Sequence, residues 1–365
     1  MRLFIDLTAN TGRVNDMQDF KTLTELLVAR KNEEQRGITF ILDSNKEEFV
    51  SYKDLYYKAL KLLGSLQKYG FRPGDKVIFQ IDDNRSFINS FWACILGGMI
   101  PVPMAIGNND EQKSKLFKIW KIIGNLRMIT SQDLVKKLKS FADKNGLNEQ
   151  MNEILKRVIF IDNVILGEDA GEIYYPQRDD MAFIQFSSGS TGDPKGVIIT
   201  HGNVLTNISA IMRWSKIDTN DVSLNWVPLT HDMGLIGVHI KDVIVDINQY
   251  NMPTKLFIEN PTLWLEKASE HRATLLYSPN FGFKHFLESY KAEDKKDWDL
   301  SSIRLIYNGA EPISMGLCNE FLDKMAVYGL KRSAMHPAYG LAEGTIAVAF
   351  PNPGEEFMFH VLDRN

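Results

Sequence analysis

The stretch Phe183–Asn203 reads FIQFSSGSTGDPKGVIITHGN, and it is the most informative part of the chain. Phe183–Phe186 and Val197–Ile199 are short apolar runs, which are typical of buried strands. The loop between them, Ser187–Gly196, is rich in hydroxyls and glycines and contains Lys195. Glycines let a backbone approach a ligand closely, N–H groups and hydroxyls then converge on an anion, and a lysine adds a mobile charge. The loop therefore predicts a polyphosphate site between two strands.

The loop differs from a Walker A motif. Counting from Gly189, Pro194 stands where the second glycine is required, and no Ser or Thr follows Lys195. The alternative interpretation is a glycine-rich hairpin without a ligand. We favour the phosphate site, because the loop contains more hydroxyls and glycines than a turn requires.

Composition limits the remaining function classes. The 365 residues are 44% hydrophobic and 24% charged, which is ordinary for a soluble globular protein. A formal net charge of -4 gives no electrostatic reason to expect nucleic acid or an anionic membrane as a partner. With two cysteines, Cys94 and Cys318, neither a disulfide framework nor a CxxC metal site is expected. No signal peptide pattern and no apolar run of about 18 residues occurs, so we expect a cytoplasmic protein without a transmembrane segment.

Strand and helix patterns alternate along the chain, which predicts an α/β fold with parallel sheets and helices on their faces. A second helical pattern, for example, starts at Ser51 and is apolar on one face. The polar, acidic stretch Glu168–Asp180 is the best candidate for a surface connection. We therefore predict two packed, sheet-based subdomains, residues 1–175 and residues 176–365, with the phosphate loop in the second.

A second informative phrase is Trp226–Leu235, WVPLTHDMGL. It places the pair His231 and Asp232 beside Gly234, after an apolar run. An imidazole in this position can face a cleft and exchange a proton near neutral pH. The alternative is a histidine packed under a loop, and the residues alone do not decide between the two.

Two further phrases follow predicted strands. NGAEP, Asn308–Pro312, forms a tight turn at a strand end, where α/β folds bind ligands, although an ordinary strand-to-helix turn is the alternative. HPAYGLAE, His336–Glu343, offers the ring face of Tyr339 to a purine and a hard carboxylate oxygen of Glu343 to Mg²⁺. In isolation Glu343 is better explained as a surface residue or a residue at the start of a helix.

These four phrases, in this order, resemble the signature motifs of the adenylate-forming superfamily, which includes acyl-CoA synthetases, peptide-synthetase adenylation domains, luciferases and fatty acyl-AMP ligases. SSGSTGDPKG resembles the phosphate-binding signature, and PLTHDMGL and YGLAE, with Ala342 instead of threonine, resemble fatty acyl-AMP ligases. The phrases also resemble those of the acyl-AMP ligase loading domains at the start of hybrid polyketide–nonribosomal peptide synthetases that make lipopeptides. The resemblance implies the N-terminal α/β portion of such an enzyme.

The resemblance also implies the site residues. Residues implied to bind ATP are Ser187, Ser188, Gly189, Ser190, Thr191, Gly192, Lys195, Asn308, Gly309, Ala310, Glu311, Tyr339, Gly340 and Leu341. Those implied to bind the fatty acid are His231, Met233, Gly234, Asn280 and Phe281. Thr191, Lys195, His231 and Glu343 are implied to be catalytic, and Glu343 with Thr191 would hold Mg²⁺.

The implied reaction joins a medium- or long-chain fatty acid to ATP, giving acyl-adenylate and pyrophosphate, before transfer to the phosphopantetheine arm of an acyl carrier protein. An acyl-CoA synthetase is the alternative, and a nucleotide-binding fragment without turnover is a second one. Family members continue into a small β-barrel and a mobile C-terminal domain with a catalytic lysine. This sequence stops at Asn365, so we expect it to be the N-terminal portion of an adenylating domain.

Overall fold

Strands and helices alternate through the computed structural model, which describes residues 20–164, 169–187, 194–291, 293 and 296–359. The strands are β1 Gly37–Ile41, β2 Glu47–Ser51, β3 Lys76–Gln80, β4 Ile100–Pro103, β5 Leu126–Thr130, β6 Val158–Phe160, β7 Met181–Ser187, β8 Lys195–Thr200, β9 Val222–Asn225, β10 Asn248–Asn251, β11 Leu275–Ser278, β12 Leu305–Asn308, β13 Met335–Pro337, β14 Tyr339–Gly340 and β15 Ala347–Ala349. The helices are α1 Leu23–Ala29, α2 Tyr52–Lys68, α3 Asn84–Leu96, α4 Asp110–Ile123, α5 Gln132–Asn145, α6 Asn148–Leu155, α7 His201–Ser215, α8 Lys241–Val245, α9 Thr254–Glu259, α10 Leu263–Glu270, α11 Asn280–Ser289 and α12 Met315–Met325. Within these ranges, every helix is too short or too polar to cross a bilayer.

The larger sheet has seven strands in the order β13-β12-β11-β9-β10-β1-β2. Its neighbours are parallel except for the antiparallel edge pair of β1 and β2. This confirms the predicted α/β architecture with parallel strands. β1, from the predicted subdomain 1–175, pairs with β10, from the predicted subdomain 176–365, through the register Ile38↔Gln249, and the boundary between the two stays a prediction. Long-range pairing of this kind leaves no local signal in the sequence.

The smaller sheet has four parallel strands in the order β4-β3-β5-β6. Beside it lies the antiparallel hairpin of β7 and β8, with β7 against β4. The hairpin confirms the two predicted strands, and its register pairs Phe183 with Ile199. Phe183 is fully buried and meets the edge of Phe91 in α3, with ring centroids 5.7 Å apart. Burial of such a side chain contributes roughly 1.5–3 kcal/mol, so the core fixes the hairpin that carries the phosphate loop.

A π-helical segment, Met233–Ile240, follows the HD pair and continues into α8. Such segments are rare in proteins, and those that occur are often found at functional sites. Its end carries a buried polar network: the Trp92 indole N–H donates to Nε2 of His239 at 2.8 Å, and Nδ1 of His239 lies 2.9 Å from Oε1 of Gln249. Burial lowers the pKa of His239 to about 4, so the ring is neutral and its two nitrogens have fixed roles.

Lys241 and Asp242, which follow the π-helical segment, form an ion pair, and each side chain is at most 1% exposed. The Ser223 hydroxyl also donates to Asp242, at 3.0 Å. The ammonium of Lys241 lies 5.8 Å from the ring centroid of Tyr277. Burial raises the pKa of Asp242 to about 6, against the lowering effect of Lys241. Each of these two buried charges is therefore stabilised by the opposite charge of the other.

We expect Lys241→Met to destabilise the fold by roughly 3–5 kcal/mol, because it leaves the Asp242 carboxylate buried without a counter-charge. The double variant Lys241→Met, Asp242→Leu should recover most of this loss. Urea unfolding gives the free energies. As a control, Lys324→Met removes the exposed pair with Glu320, N to O 2.9 Å, and should cost under about 1 kcal/mol. Equal effects of the two single variants would contradict the account.

Three buried histidines should make the fold acid-sensitive. Burial lowers the pKa of His201, His239 and His336 to about 4, from an ordinary 6.5. Between these values the unfolded chain binds more protons than the native chain, so stability falls as pH falls through that window and levels off below it. From about pH 7.5 to pH 5 the loss should be on the order of 3–6 kcal/mol, and His239→Gln should reduce it. Denaturant unfolding at both pH values tests this, and constant stability would refute it.

Candidate active site

A cavity of about 640 Å³ lies where the strands of both sheets end. From the larger sheet it is lined by residues that follow β9, β12 and β13 and by Tyr277 and Tyr307 within β11 and β12. From the smaller sheet it is lined by the last residue of β4 and the two residues that follow it. The lining residues are Pro103, Met104, Ala105, Gln112, Lys115, Gln185, Phe186, Ile211, Pro228, Thr230, His231, Asp232, Met233, Gly237, Tyr277, Tyr307, Gly309, Ala310, Ala338, Tyr339, Gly340, Leu341, Ala342, Glu343, Ile346, Ala347 and Phe350. The carboxyl ends of parallel strands are where α/β folds bind ligands.

The cavity brings together eight of the residues proposed from the sequence. These are His231, Met233, Gly309, Ala310, Tyr339, Gly340, Leu341 and Glu343. They come from three phrases that are far apart in the sequence. The predictions for Ser188, Gly189, Ser190, Thr191 and Gly192 lie outside the described residues, and Ser187 is described only as the backbone end of β7. Lys195 is the exposed first residue of β8 and does not line the cavity.

Asn280 and Phe281, expected along an acyl tunnel, do not line this cavity. Oδ1 of Asn280 accepts the N–H of Ser314 at 3.1 Å, so the side chain joins α11 to the start of α12. Phe281 is 47% exposed and meets the edge of Trp226 from outside. Both lie at the start of α11, and their role toward the fatty acid stays a prediction.

Three other predicted residues also lie outside the lining. Asn308 is buried and donates from Nδ2 to Sγ of Cys318 at 3.3 Å. Glu311 is exposed and accepts the N–H of Phe281 at 2.6 Å. Gly234 is required for packing, because a Cβ there would lie 2.4 Å from the carbonyl oxygen of Pro228. All three support the walls of the cavity without facing it.

The imidazole of His231 is paired with a carboxylate at the cavity wall. Its Nδ1 lies 2.7 Å from Oδ1 of Asp232, which also accepts the N–H of Met233 at 2.7 Å. Burial acts to lower the pKa of His231, but the hydrogen bond to Asp232 and its negative charge outweigh burial and raise that pKa above its ordinary value. A histidine held in this way carries more positive charge near neutral pH and favours an anionic ligand.

The turn after β12 has a strained and closely packed backbone. Ala310 has φ +72°, which is costly for a residue with a side chain, by roughly 1–3 kcal/mol. A Cβ on Gly309 would lie 2.7 Å from the carbonyl oxygen of Ala338. Two stacked rings, Tyr277 and Tyr307, lie beside this turn with centroids 5.3 Å apart and an angle of 4°. Gly309 and Ala310 of this turn both line the cavity.

Glu343 lies on a short 3-10 turn, Ala342–Gly344, between β14 and β15. Its carboxylate is exposed and faces the cavity. The backbone on both sides of Glu343 is constrained. After it, Thr345 has φ +71°; before it, a Cβ on Gly340 would lie 2.1 Å from the carbonyl oxygen of Ile346. One hard carboxylate oxygen at an open cavity suits Mg²⁺, which is usually held by one or two carboxylates together with substrate phosphates.

Another carboxylate–histidine cluster, Glu47, Glu270 and His271, does not suit a metal ion. The ammonium of Lys267 already lies 2.8 Å from both Glu47 and Glu270. Nε2 of His271 lies 2.9 Å from the same Glu47 oxygen. The lysine therefore supplies the positive charge that a metal would bring, and the cluster is an ion-pair network at the edge of the larger sheet.

Several residues that line the cavity were not predicted from the sequence. Gln185 in β7 is 5% exposed; its Nε2 donates to the carbonyl oxygen of Thr230 at 2.9 Å, and its Oε1 has no partner among the described residues. Gln112 and Lys115 enter from α4, above the smaller sheet. Gln185 is adjacent to the phosphate loop and was detectable as a polar residue in an apolar strand. The two α4 residues gave no local signal.

The chain matches the family model described as AMP-binding enzyme over residues 28–360. It is 29% identical over 347 residues to the medium-chain-fatty-acid–[acyl-carrier-protein] ligase JamA of Moorena producens, covering 93% of this chain and 57% of that protein. It is 36% identical over 308 residues to the ligase of the same description, TtuA, of Teredinibacter turnerae, covering 75% of this chain and 48% of that protein.

The fold is similar to solved structures. It matches the fatty acid AMP ligase from Legionella pneumophila with a TM-score of 0.85 and 27% identity, covering 95% of this chain and 59% of that one. It matches McyG A-PCP complexed with phenylalanyl-adenylate with a TM-score of 0.84 and 30% identity, covering 93% and 61%. The chain thus spans about half to three-fifths of its relatives. The predicted N-terminal fold of adenylate-forming enzymes is confirmed, and the chain belongs to the family of AMP-binding enzymes.

Proposed function

We propose that the protein containing this chain activates a medium- or long-chain fatty acid with ATP, forming acyl-adenylate and pyrophosphate, and passes the acyl group to an acyl carrier protein. The observation that carries the proposal is one cavity at the strand ends that joins the backbone turn at Gly309–Ala310, the His231–Asp232 pair and the Glu343 carboxylate. Adenine, carboxylate and metal-bound phosphate each need one of these chemistries.

The nucleotide would bind along the cavity wall formed by the turn after β12 and by Tyr339. Gly309 and Ala310 present backbone atoms, and the ring face of Tyr339, which is 62% exposed, is free to stack on a purine. The loop Ser187–Lys195 would hold the phosphates through Thr191 and Lys195. Mg²⁺, when bound through Glu343 and Thr191, would neutralise charge on the separating phosphates.

His231 favours a substrate that has a carboxylate but no ammonium group next to it, such as a fatty acid. In amino-acid activators an aspartate near this position would hold the ammonium. Here Asp232 is already engaged by the His231 ring and by the N–H of Met233. Adding an ammonium would place a second positive charge next to a histidine with a raised pKa. We infer that His231 orients the substrate carboxylate and that amino acids are poor substrates.

The remaining lining suits an alkyl chain. Met104, Phe186, Ile211 and Met233 are among the apolar side chains that face the cavity. Burial of an alkyl chain contributes about 0.8 kcal/mol per methylene, so affinity should rise with chain length until the cavity is filled. Two relatives are named as medium-chain-fatty-acid ligases, which supports this substrate class.

The acceptor is inferred from the relatives. JamA and TtuA are named as ligases that use an acyl carrier protein, and McyG was solved as an A-PCP protein. We propose the phosphopantetheine arm of a carrier protein as the acceptor in preference to free CoA. We also propose a cytoplasmic location, because Cys94 and Cys318 are both free, buried thiols.

We expect the full-length protein to catalyse fatty-acid-dependent exchange of pyrophosphate into ATP. At unsaturating magnesium, Glu343→Gln should reduce the exchange rate about tenfold or more, because a neutral amide holds Mg²⁺ poorly. A tenfold reduction corresponds to ~1.4 kcal/mol in activation free energy. Glu266→Gln, an exposed change on α10 outside the cavity, is the control. Exchange that depends on amino acids and not on fatty acids would overturn the proposal.

A third possibility is that the chain binds nucleotide without turnover. An assay of the 365 residues by themselves distinguishes this possibility from the other two. Pyrophosphate release by this chain, measured beside the full-length protein, shows whether turnover needs the rest of the enzyme. We expect much slower release from the 365 residues. Absence of release from both proteins, with nucleotide binding intact, would favour the non-catalytic alternative.

With a holo carrier protein, the full-length protein should transfer radiolabelled fatty acid onto the phosphopantetheine thiol, and free CoA should be a poor acceptor. The matched control is the apo carrier protein, which has the same surface without the thiol. Gel fluorography and thin-layer chromatography measure the two products. Rapid formation of acyl-CoA without carrier loading would instead identify an acyl-CoA synthetase.

A further inference from the structure

One side chain outside the cavity lining makes three hydrogen bonds to the segment that carries Glu343. Nδ2 of Asn207, in α7, donates to the carbonyl oxygen of Gly344 at 3.2 Å and to that of Ala347 at 3.0 Å. Its Oδ1 accepts the N–H of Ala347 at 3.2 Å. The carboxamide therefore uses both its donor and its acceptor ends on the backbone of one segment.

The segment held in this way is the one that most needs support. Thr345, between the two anchored residues, has φ +71° and ψ -54°, a conformation that residues with side chains avoid. The N–H of Thr345 donates to the carbonyl oxygen of Ala342 at 2.9 Å, and the N–H of Gly344 donates to that of Leu341 at 3.0 Å. These two bonds lie within the turn. Asn207 adds the link to a rigid helix.

The helix that supplies this link also follows the phosphate loop. α7 begins directly after β8, and Thr200 caps it by accepting the N–H of Asn203 at 3.1 Å. One turn beyond Asn207, Ile211 lines the cavity. The hairpin-and-helix unit that carries the phosphate loop is therefore joined through Asn207 to the turn that carries Glu343. This joins the two parts of the protein that would meet one metal–nucleotide complex.

We propose that Asn207 is a positioning residue that fixes the Glu343 carboxylate relative to α7 and the β7–β8 hairpin, the unit in which the phosphate loop is predicted. This inference rests on the proposed function, in which Glu343 holds the metal ion. Asn207 itself would touch neither metal nor nucleotide. Its carboxamide is specific for the task, because two carbonyl oxygens and one N–H must be satisfied from one side chain.

Two substitutions separate this role from simple filling of space. Asn207→Asp keeps the shape but replaces the donor by a carboxylate oxygen facing two carbonyl oxygens. Asn207→Ala removes all three bonds. If Asn207 positions the turn, both variants should be impaired to a similar degree. If it only fills space, Asn207→Asp should resemble the native protein.

The readout is the affinity for Mn²⁺ of the full-length protein with a non-hydrolysable ATP analogue, measured by electron paramagnetic resonance. We expect Mn²⁺ affinity to fall about tenfold in both Asn207 variants, while binding of the analogue without metal and the urea midpoint change little. Asn152→Ala, an exposed asparagine change on α6, is the matched control. Native Mn²⁺ affinity in the Asn207 variants would overturn the inference, as would failure of both to fold, because the bonds would then support the whole fold.

Glu343→Gln, measured in parallel, separates this inference from the proposed function. If Glu343→Gln leaves Mn²⁺ affinity unchanged, the metal role of Glu343 fails, and the role of Asn207 fails with it. If Glu343→Gln weakens Mn²⁺ binding and the Asn207 variants do not, the proposed function stands and only the positioning role is wrong.

Discussion

The pairing of β7 with β8 is the interaction on which the arrangement of the cavity depends. Phe183 in β7 is buried against Phe91, so the hairpin is fixed by the core that it shares with α3. From this fixed position Gln185 holds the carbonyl oxygen of Thr230, next to His231. The helix that follows β8 holds the turn after Glu343. Two carboxamides on one hairpin-and-helix unit thus connect it to the segment after β9 and to the turn between β14 and β15, two strands that form a separate small sheet.

Two of the six described non-glycine residues with positive φ lie at or next to the cavity. Ala310 and Thr345 both have positive φ, and they lie at two sides of the same cavity or directly behind it. Residues persist in such conformations only where the surroundings hold them. Here the surroundings are close contacts at Gly309 and Gly340. Local stability has therefore been exchanged for a fixed presentation of the backbone and of Glu343.

Much of this could be predicted from sequence wherever the signal is local. Ser51 accepts the N–H of Asp54 at 3.0 Å at the start of α2, and the apolar runs around the phosphate loop are strands, as their patterns predicted. The pairing of β1 with β10 was not predicted, because it joins residues far apart in the sequence. The same reason hid Gln112 and Lys115, whose positions depend on how the two sheets pack.

The central claim is that one cavity at the strand ends receives the acyl-adenylate. The most direct measurement is a crystal structure of the full-length protein with a non-hydrolysable acyl-adenylate, such as an acyl sulfamoyl adenosine. The account predicts adenine against Gly309–Ala310, the acyl carbonyl near His231, and the alkyl chain among the apolar lining. Binding of the analogue outside this cavity, or with adenine and alkyl chain exchanged, would contradict the account.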